Sequence, residues 1–312
     1  GGYVMKIINK KRFSLAVLIL IILIILVIRG IGKIDKKEAQ EVSKTNTTQE
    51  ENVESTPVKR DLNNLKEDEA SFGQIDKPVY KKEEKEIKLP IMIYHAFKTP
   101  EPEDDKYKLY STEARFEENV TTLLNDGYTF ITLEDLYKYN QGKIGLPEKN
   151  ITITMDDGWI GCYTEAFNVA KKYNIPITIF IVENLVGSED YFSWEQAKEM
   201  YDTGLVKIHV HGQRHINATD YSNTAQLVKA YNETHSLIEE KLGAKLQKIM
   251  AYPAGKSSEK TISALKEAGF EVQVQTKYGT VNKSTSLNLT NLGRIRGERA
   301  SGQSIKKTIN SK

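Results

Sequence analysis

From residue 89 onward, short apolar segments alternate with amphipathic ones, and this alternation constrains the fold more than any other feature of the chain. The apolar segments, such as residues 91–94 and 175–182, are not polar at every second position. Strands of this kind are typical of parallel sheets, because helices cover them. The amphipathic segments have helical spacing, as in residues 224–242. The pattern of seven or eight strands predicts an α/β fold, a distorted (β/α) barrel of about seven parallel strands.

The predicted barrel is preceded by a long hydrophobic run at residues 13–28. At a helical rise of about 1.5 Å per residue, this run is slightly short of a ~30 Å hydrocarbon core, and Gly30 and Ile31 extend it. No small-residue cleavage site follows, so an uncleaved anchor is favoured over a secretory signal peptide or a buried helix. We therefore predict a transmembrane anchor at residues 13–31 behind a cytoplasmic tail at residues 1–12. Basic residues flank both sides, so they do not set its orientation.

Residues 32–88 are rich in Lys, Glu, Asn, Thr, Ser and Asp and have little hydrophobic periodicity. Such a composition predicts a disordered charged linker, and Pro57 and Pro78 argue against a long charged helix. The remaining residues, 89–312, then form one domain. A net charge of +2 gives no indication of a nucleic-acid partner, and the single Cys162 excludes an internal disulfide and a multi-cysteine metal site.

Two neighbouring carboxylates, Asp156 and Asp157, end the β-branched run Ile-Thr-Ile-Thr-Met that starts at residue 151, and Gly158 follows them. Adjacent acids at a strand end are unfavourable when both are charged and unpaired, and a bound cation removes that penalty. Their side chains point to opposite faces, so they can take different roles. Taken alone, the motif is equally consistent with a solvated turn.

Other polar residues also fall at the carboxyl ends of predicted strands, which share one face in a parallel barrel. These are His95, His211 with His215 four residues later, the Pro253-Ala254-Gly255 turn and Arg294. One carboxylate and two imidazoles, Asp157, His211 and His215, form a common ligand set for Zn²⁺, with Co²⁺ or Ni²⁺ as alternatives. A helical turn after His211 would bring both rings to one side. Asp156 is then free to act as a base.

These motifs resemble those of the NodB-type polysaccharide deacetylases, carbohydrate esterase family 4. The resemblance rests on Thr-Met-Asp-Asp-Gly at residues 154–158, on His-Gly-Gln-Arg-His at 211–215 and on Tyr-Pro-Ala-Gly at 252–255. It extends over residues 89–309. The chain departs from the family pattern at Gly212, where Ser or Thr is usual, at Ala254, where an aromatic residue is usual, and in lacking a clear tryptophan motif near residues 272–276.

The resemblance implies a role for each matching position. Asp156 would be the general base, and Asp157, His211 and His215 would bind the metal. The backbone amide of Ala254 would stabilise the oxyanion. No histidine follows His235, so the usual late general acid is missing. The Tyr94-His95 pair is similar to the poly-N-acetylglucosamine deacetylase branch, in which an early histidine is the acid, and this assigns His95.

The implied activity is metal-dependent hydrolysis of N-acetyl groups from a cell-surface or extracellular N-acetylglucosamine polymer, with release of acetate. Two alternatives stay open: an O-acetyl esterase acting on xylan or peptidoglycan, and a non-catalytic glycan-binding module. Together with the anchor predicted at residues 13–31, the resemblance implies a single-pass protein of the cell membrane with an extracellular catalytic domain. We expect that domain to be monomeric. We expect Tyr94, Trp159, Tyr252 and Arg294 to bind substrate. For Arg294 the alternative is to orient a catalytic acid, and for Trp159 the alternative is burial in the core. His209 could be a core residue, a residue that supports the metal ligands or a metal ligand itself. We expect His235 to be solvated.

Overall fold

The computed structural model describes residues 63–312, in which seven parallel strands close into a barrel. The strands are β1 (Ile91–Tyr94), β2 (Asn150–Met155), β3 (Ile177–Ile181), β4 (Val206–Val210), β5 (Ile249–Ala251), β6 (Val272–Tyr278) and β7 (Leu292–Arg296). Each pairs with its successor in the chain, and β7 pairs with β1. The predicted seven-stranded α/β barrel is therefore confirmed.

A further short strand, Thr129–Ile131, pairs in parallel with the first half of β2. Strand β3 pairs with β2 only at Thr154 and Met155. Because β1 occupies the other edge of β2, the short strand and β3 share one edge. The barrel is split at this point, which accounts for its distorted shape.

Seven helices cover the barrel within residues 63–312: α1 (Glu113–Asn125), α2 (Leu133–Asn140), α3 (Phe167–Tyr173), α4 (Trp194–Asp202), α5 (Thr224–Leu242), α6 (Glu259–Glu267) and α7 (Gly302–Asn310). Six begin at a Ser, Thr or Asn whose side chain accepts a hydrogen bond from a first-turn amide. Helix α3 lacks such a cap, because it continues from a π-helical turn at Cys162–Ala166. The apolar spacing of residues 160–173 predicts one helix, and the structure shows that its first turns have π-helical geometry.

Residues 63–88 pack against the amino end of the barrel, so the predicted disordered linker is wrong for this part. Phe72 and Ile87 are buried in one apolar cluster with residues of the barrel. The backbone N–H of Ser71 donates to the carboxylate of Asp135 at 2.8 Å. A few apolar residues within a polar composition are sufficient to order the segment, and composition alone does not reveal them.

Two short antiparallel pairings hold the same segment in place. Val79–Tyr80 pairs with Leu146–Pro147, and Lys88–Leu89 pairs with Asn282–Lys283. The predicted tail at residues 1–12, the anchor at residues 13–31 and the linker at residues 32–62 lie outside the described residues. Within residues 63–312, no helix has the length and apolar character needed to cross a membrane.

Candidate active site

The polar residues predicted at strand ends converge at the carboxyl end of the barrel. Asp157 follows β2, and its Oδ1 lies 3.3 Å from Nε2 of His211 and 3.3 Å from Nε2 of His215. One ligand atom from each of the three residues lies within 4.8 Å of the others. These distances bring together a carboxylate oxygen and two imidazole nitrogens, as the ligand set for a divalent cation requires.

Two further observations test whether this group suits a cation. The Oδ1 atom of Asp157 is buried and has no hydrogen-bond partner. Nδ1 of His211 lies 3.0 Å from the carbonyl oxygen of Ala251, so Nδ1 carries the hydrogen and Nε2 presents its lone pair to the group. An unpartnered buried oxygen beside an oriented imidazole fits a divalent cation well. Burial opposes ionisation of Asp157, yet the two adjacent histidines hold the pKa of its carboxyl well below the usual range.

A loop, not a helical turn, brings His211 and His215 together. Residues 211–215 form no helix, and the ring centroids of His211 and His215 lie 5.1 Å apart. Gly212 has φ +92°, a conformation that favours glycine, and His215 itself has φ 53°. The rings therefore reach one side without the helical turn that the i, i+4 spacing would need. The reversal at Gly212 also gives a reason for glycine where the family pattern usually has Ser or Thr.

Asp156 is held by a buried arginine from the last strand. Its two carboxylate oxygens accept hydrogen bonds of 2.7 Å and 2.6 Å from Arg294, and both side chains are almost fully buried. Burial raises the pKa of Asp156, but the charge of Arg294 and its hydrogen bonds lower that pKa overall. Asp156 is therefore ionised and fixed in orientation, as a base requires. Arg294 lies behind this carboxylate with no exposed surface, so the prediction that it contacts substrate is wrong.

His95 follows β1 and is paired with a carboxylate that the sequence analysis missed. Its Nδ1 lies 2.7 Å from Oε1 of Glu298, which has no exposed surface. A carboxylate only accepts, so Nδ1 carries the hydrogen and Nε2 is left for proton transfer. Burial lowers the pKa of His95, but the hydrogen bond to Glu298 and the nearby charge of Asp156 raise it overall. Glu298 lies just after β7, and this position at a strand end is the signal that could have found it.

Two residues predicted to bind substrate are instead part of the core. The hydroxyl of Tyr94 accepts a hydrogen bond from Asn119, and the Tyr94 ring packs against Phe97 and Phe116. The hydroxyl of Tyr252 donates to the side-chain oxygen of Gln273. Both tyrosines are fully buried, so the prediction that they contact substrate is wrong.

The two remaining predicted residues lie at the surface of the site. Trp159 is half-buried, and its indole N–H donates to Oδ2 of Asp157 at 3.0 Å. Ala254 is exposed, with φ 50°, in the turn Pro253–Gly255. Gly255 is required in this turn, because a Cβ atom there would lie 1.9 Å from Oγ1 of Thr276. The turn therefore presents the Ala254 backbone at the carboxyl end of β5.

The other two histidines lie outside the cation-binding group. His209 is buried, with Nε2 2.9 Å from Oε1 of Glu134, so it takes a core role. His235 is also buried, against the edge of Phe270, and burial lowers its pKa to about 4. The expectation that His235 is solvated is therefore wrong.

The fold and the site together define a barrel protein that can bind a divalent cation between a buried base and a carboxylate-paired histidine. Residues 143–273 match the family model described as polysaccharide deacetylase.

Two relatives and one solved structure show how far the likeness extends. YxkH of Bacillus subtilis strain 168 is 26% identical over 212 residues, which cover 68% of this chain and 73% of that protein. A poly-β-1,6-N-acetyl-D-glucosamine N-deacetylase of Staphylococcus aureus strain MRSA252 is 31% identical over 186 residues, 55% of this chain and 61% of that enzyme. The Streptococcus pyogenes deacetylase PplD shares the fold, with a TM-score of 0.65 at 24% identity over 72% of this chain and 99% of that chain. This chain thus spans less than two thirds of the staphylococcal enzyme.

Proposed function

We propose that the protein hydrolyses N-acetyl groups of a cell-surface or extracellular N-acetylglucosamine polymer and releases acetate. The observation that carries this proposal is one face that holds a cation-binding group, an ionised buried base at Asp156 and an acid at His95. A module that only binds glycan needs neither base nor acid. The name of the staphylococcal relative supports the choice of an N-acetylated glucosamine polymer.

Asp157, His211 and His215 would hold the cation, and Zn²⁺ is the first choice for two nitrogens and one oxygen, with Co²⁺ or Ni²⁺ as alternatives. When bound, such a cation supplies Lewis-acid polarisation of the acetyl carbonyl and lowers the pKa of water. The hydrogen bonds from Trp159 to Asp157 and from His211 to Ala251 orient two of the three ligands.

The protein's own groups then move the protons. Asp156, kept ionised by Arg294, accepts a proton from the attacking water. At the same time the oxygen of that water bonds to the acetyl carbon. The amide of Ala254 donates to the developing oxyanion. His95 donates a proton from Nε2 to the nitrogen as the C–N bond breaks, and Glu298 stabilises its protonated form. Acetate and a free amine are the products, and no covalent bond to the protein is needed.

The proposal includes the setting in which the reaction takes place. The hydrophobic run at residues 13–31 would anchor a monomeric catalytic domain outside the cell membrane. A tether in residues 32–62 suits a polymeric substrate that is itself fixed at the surface. The free amines produced would make the polymer polycationic and change the surface charge.

The test is acetate release by the metal-loaded full chain from β-1,6-linked N-acetylglucosamine oligomers, with O-acetylated xylan and peptidoglycan as competing substrates. We expect acetate from the oligomers only, and a chelator should abolish it. Release from the O-acetylated polymers alone would establish an O-acetyl esterase instead. Binding without any acetate release would establish a glycan-binding module.

A further inference from the structure

Three aromatic side chains from three separate loops meet beside the cation-binding group. Tyr110 lies in the connection after β1, Trp159 follows β2, and Tyr191 lies between β3 and α4. The rings of Trp159 and Tyr191 stack with centroids 4.7 Å apart, and Tyr110 lies 6.1 Å from Trp159. All three are partly exposed. We name Tyr110, Trp159 and Tyr191 the aromatic wall.

The aromatic wall adjoins the reaction site directly. Trp159 donates its indole N–H to the cation ligand Asp157, and its backbone forms an antiparallel bridge with Tyr191. No step of the proposed hydrolysis uses the two tyrosines. A surface of this kind, in direct contact with a cation ligand through Trp159, lies within reach of a sugar unit next to the one being hydrolysed.

Three polar groups at the aromatic wall have no protein partner. Within residues 63–312, the hydroxyls of Tyr110 and Tyr191 and the exposed carboxylate of Asp190 form no hydrogen bond or ion pair with other residues. The backbone carbonyl of Asp190 accepts from the N–H of Ile160 at 2.7 Å, which fixes this residue beside the wall. Burial first, then the charges of Asp157 and Asp190, raise the pKa of Tyr191 to about 12. Burial and the Asp190 charge also raise the pKa of Tyr110, and Asp190 directly precedes Tyr191 in the chain.

We propose that the aromatic wall and Asp190 form a subsite for a hexosamine unit that already carries a free ammonium group. Aromatic faces pack against the apolar face of a pyranose ring, and free hydroxyls can bond to its hydroxyls. A neutral acetamido sugar needs no carboxylate, whereas an ammonium group forms a charge-assisted pair with one. The assignment rests on the proposed function, because deacetylation is what produces such units. The enzyme would then favour partly deacetylated chains.

The test compares two ligands that cannot be turned over, a β-1,6-linked glucosamine tetramer and the matching glucose tetramer. Both have the same ring and linkage, and neither has an acetyl group. Binding to the metal-loaded full chain is followed by tryptophan fluorescence at slightly acidic pH, where the amines are protonated. Because a charge-assisted hydrogen bond is worth more than a neutral one, we expect about tenfold tighter binding of the glucosamine tetramer.

Variants separate the contribution of the aromatic wall from that of the Asp190 carboxylate. Asp190→Asn should remove most of the preference for glucosamine, while Tyr191→Ala should weaken both tetramers. The matched control is Glu189→Gln, which removes an adjacent exposed carboxylate and should change neither affinity. Trp194→Phe, which removes the only other tryptophan, should leave the fluorescence signal intact. Equal affinities for the two tetramers in the wild type, or an equal loss of the preference in Glu189→Gln, would overturn the subsite.

The outcome is independent of the proposed reaction. A protein that releases acetate but binds both tetramers equally would reject the subsite and keep the proposed function. A protein that prefers the glucosamine tetramer but releases no acetate from any substrate would reject the proposed function and keep the subsite.

Discussion

The two ends of the barrel are built in different ways. At the carboxyl end, loops hold functional side chains in unusual backbone conformations, with φ 76° at Asp157, 53° at His215 and 50° at Ala254. Only two other non-glycine residues of the described chain, Lys108 and Asn174, have positive φ. Such conformations cost on the order of 1–2 kcal/mol each for an L-residue. The carboxyl end therefore carries strain where the chemistry is placed.

The amino end has the opposite character. The segment 63–88 closes it with buried apolar side chains, two antiparallel pairings and the hydrogen bond from Ser71 to Asp135. None of the candidate catalytic or cation-binding residues lies in this segment. The apolar packing of segment 63–88 is therefore separate from the candidate catalytic groups at the other end, so substitutions at the two ends should have separable effects.

The largest effect should follow the loss of a cation ligand at the carboxyl end. His215→Ala removes one of three ligands from a partly exposed position, so acetate release should fall on the order of 10³-fold while the thermal midpoint changes little. Acetate assay, metal content and thermal unfolding measure the three quantities. Arg214→Ala, an exposed neighbour, should retain activity. Undiminished activity in His215→Ala would remove this residue from the ligand set.

At the amino end, Phe72→Ala should produce the reverse result. The side chain is 5% exposed and lies in the apolar cluster that closes the barrel, so its loss should lower the free energy of unfolding by about 3–4 kcal/mol. Activity at a temperature where the variant stays folded should match the wild type. Denaturant unfolding measures the first quantity, and Val79→Ala, at a 45% exposed position, is the control. If Phe72→Ala were as stable as the wild type, the amino end would not be the stabilising one.

Glu298→Gln should change the pH dependence of activity more than its magnitude. The protonated form of His95 is the acid, so activity is lost as pH rises through its pKa, and Glu298 raises that pKa. Without this carboxylate the lowering effect of burial remains, and the alkaline limb of kcat/KM should move to lower pH by about one unit, with roughly tenfold lower activity. Glu103→Gln, exposed in the adjacent loop, should leave the limb in place. An unmoved limb in Glu298→Gln would exclude His95 as the acid.

Much of the fold could be predicted from local sequence. The predicted helix over residues 224–242 coincides with Thr224–Leu242, because its apolar spacing and its cap at Asn223 are both local signals. Strands β2 and β3 lie within two residues of the β-branched run at 151–155 and the apolar segment at 175–182 for the same reason. Segment 63–88 was missed, because its few apolar residues are ordered by contacts with the barrel rather than by their own periodicity.

The site could be predicted only in part, because its contacts join distant segments. Strand-end position identified the aspartates and histidines. It could not show that Arg294 lies behind Asp156, 138 residues away, or that Glu298 pairs with His95 across 203 residues. Burial was equally inaccessible: a tyrosine beside a catalytic histidine suggests a substrate contact, but Tyr94 points into the core.

The smallest effect concerns His235, which lies in α5 and in neither end of the barrel. Its pKa is lowered to about 4, mainly by burial, whereas the unfolded chain takes up the proton near the ordinary value of about 6.5. Stability from this residue is therefore fully present above that ordinary value and is lost as pH falls towards 4. His235 should therefore account for a decrease of about 1–2 kcal/mol in the free energy of unfolding between neutral pH and about pH 5.

His235→Phe removes the titration and keeps a ring against Phe270, so the loss of stability on acidification should shrink by that amount. Denaturant unfolding at the two pH values measures it, and acetate release at neutral pH should be unchanged. An unaltered pH dependence would place the acid sensitivity in the carboxylates and histidines of the carboxyl end. The strained end would then also limit stability in acid, and the separation between the two ends would hold only near neutral pH.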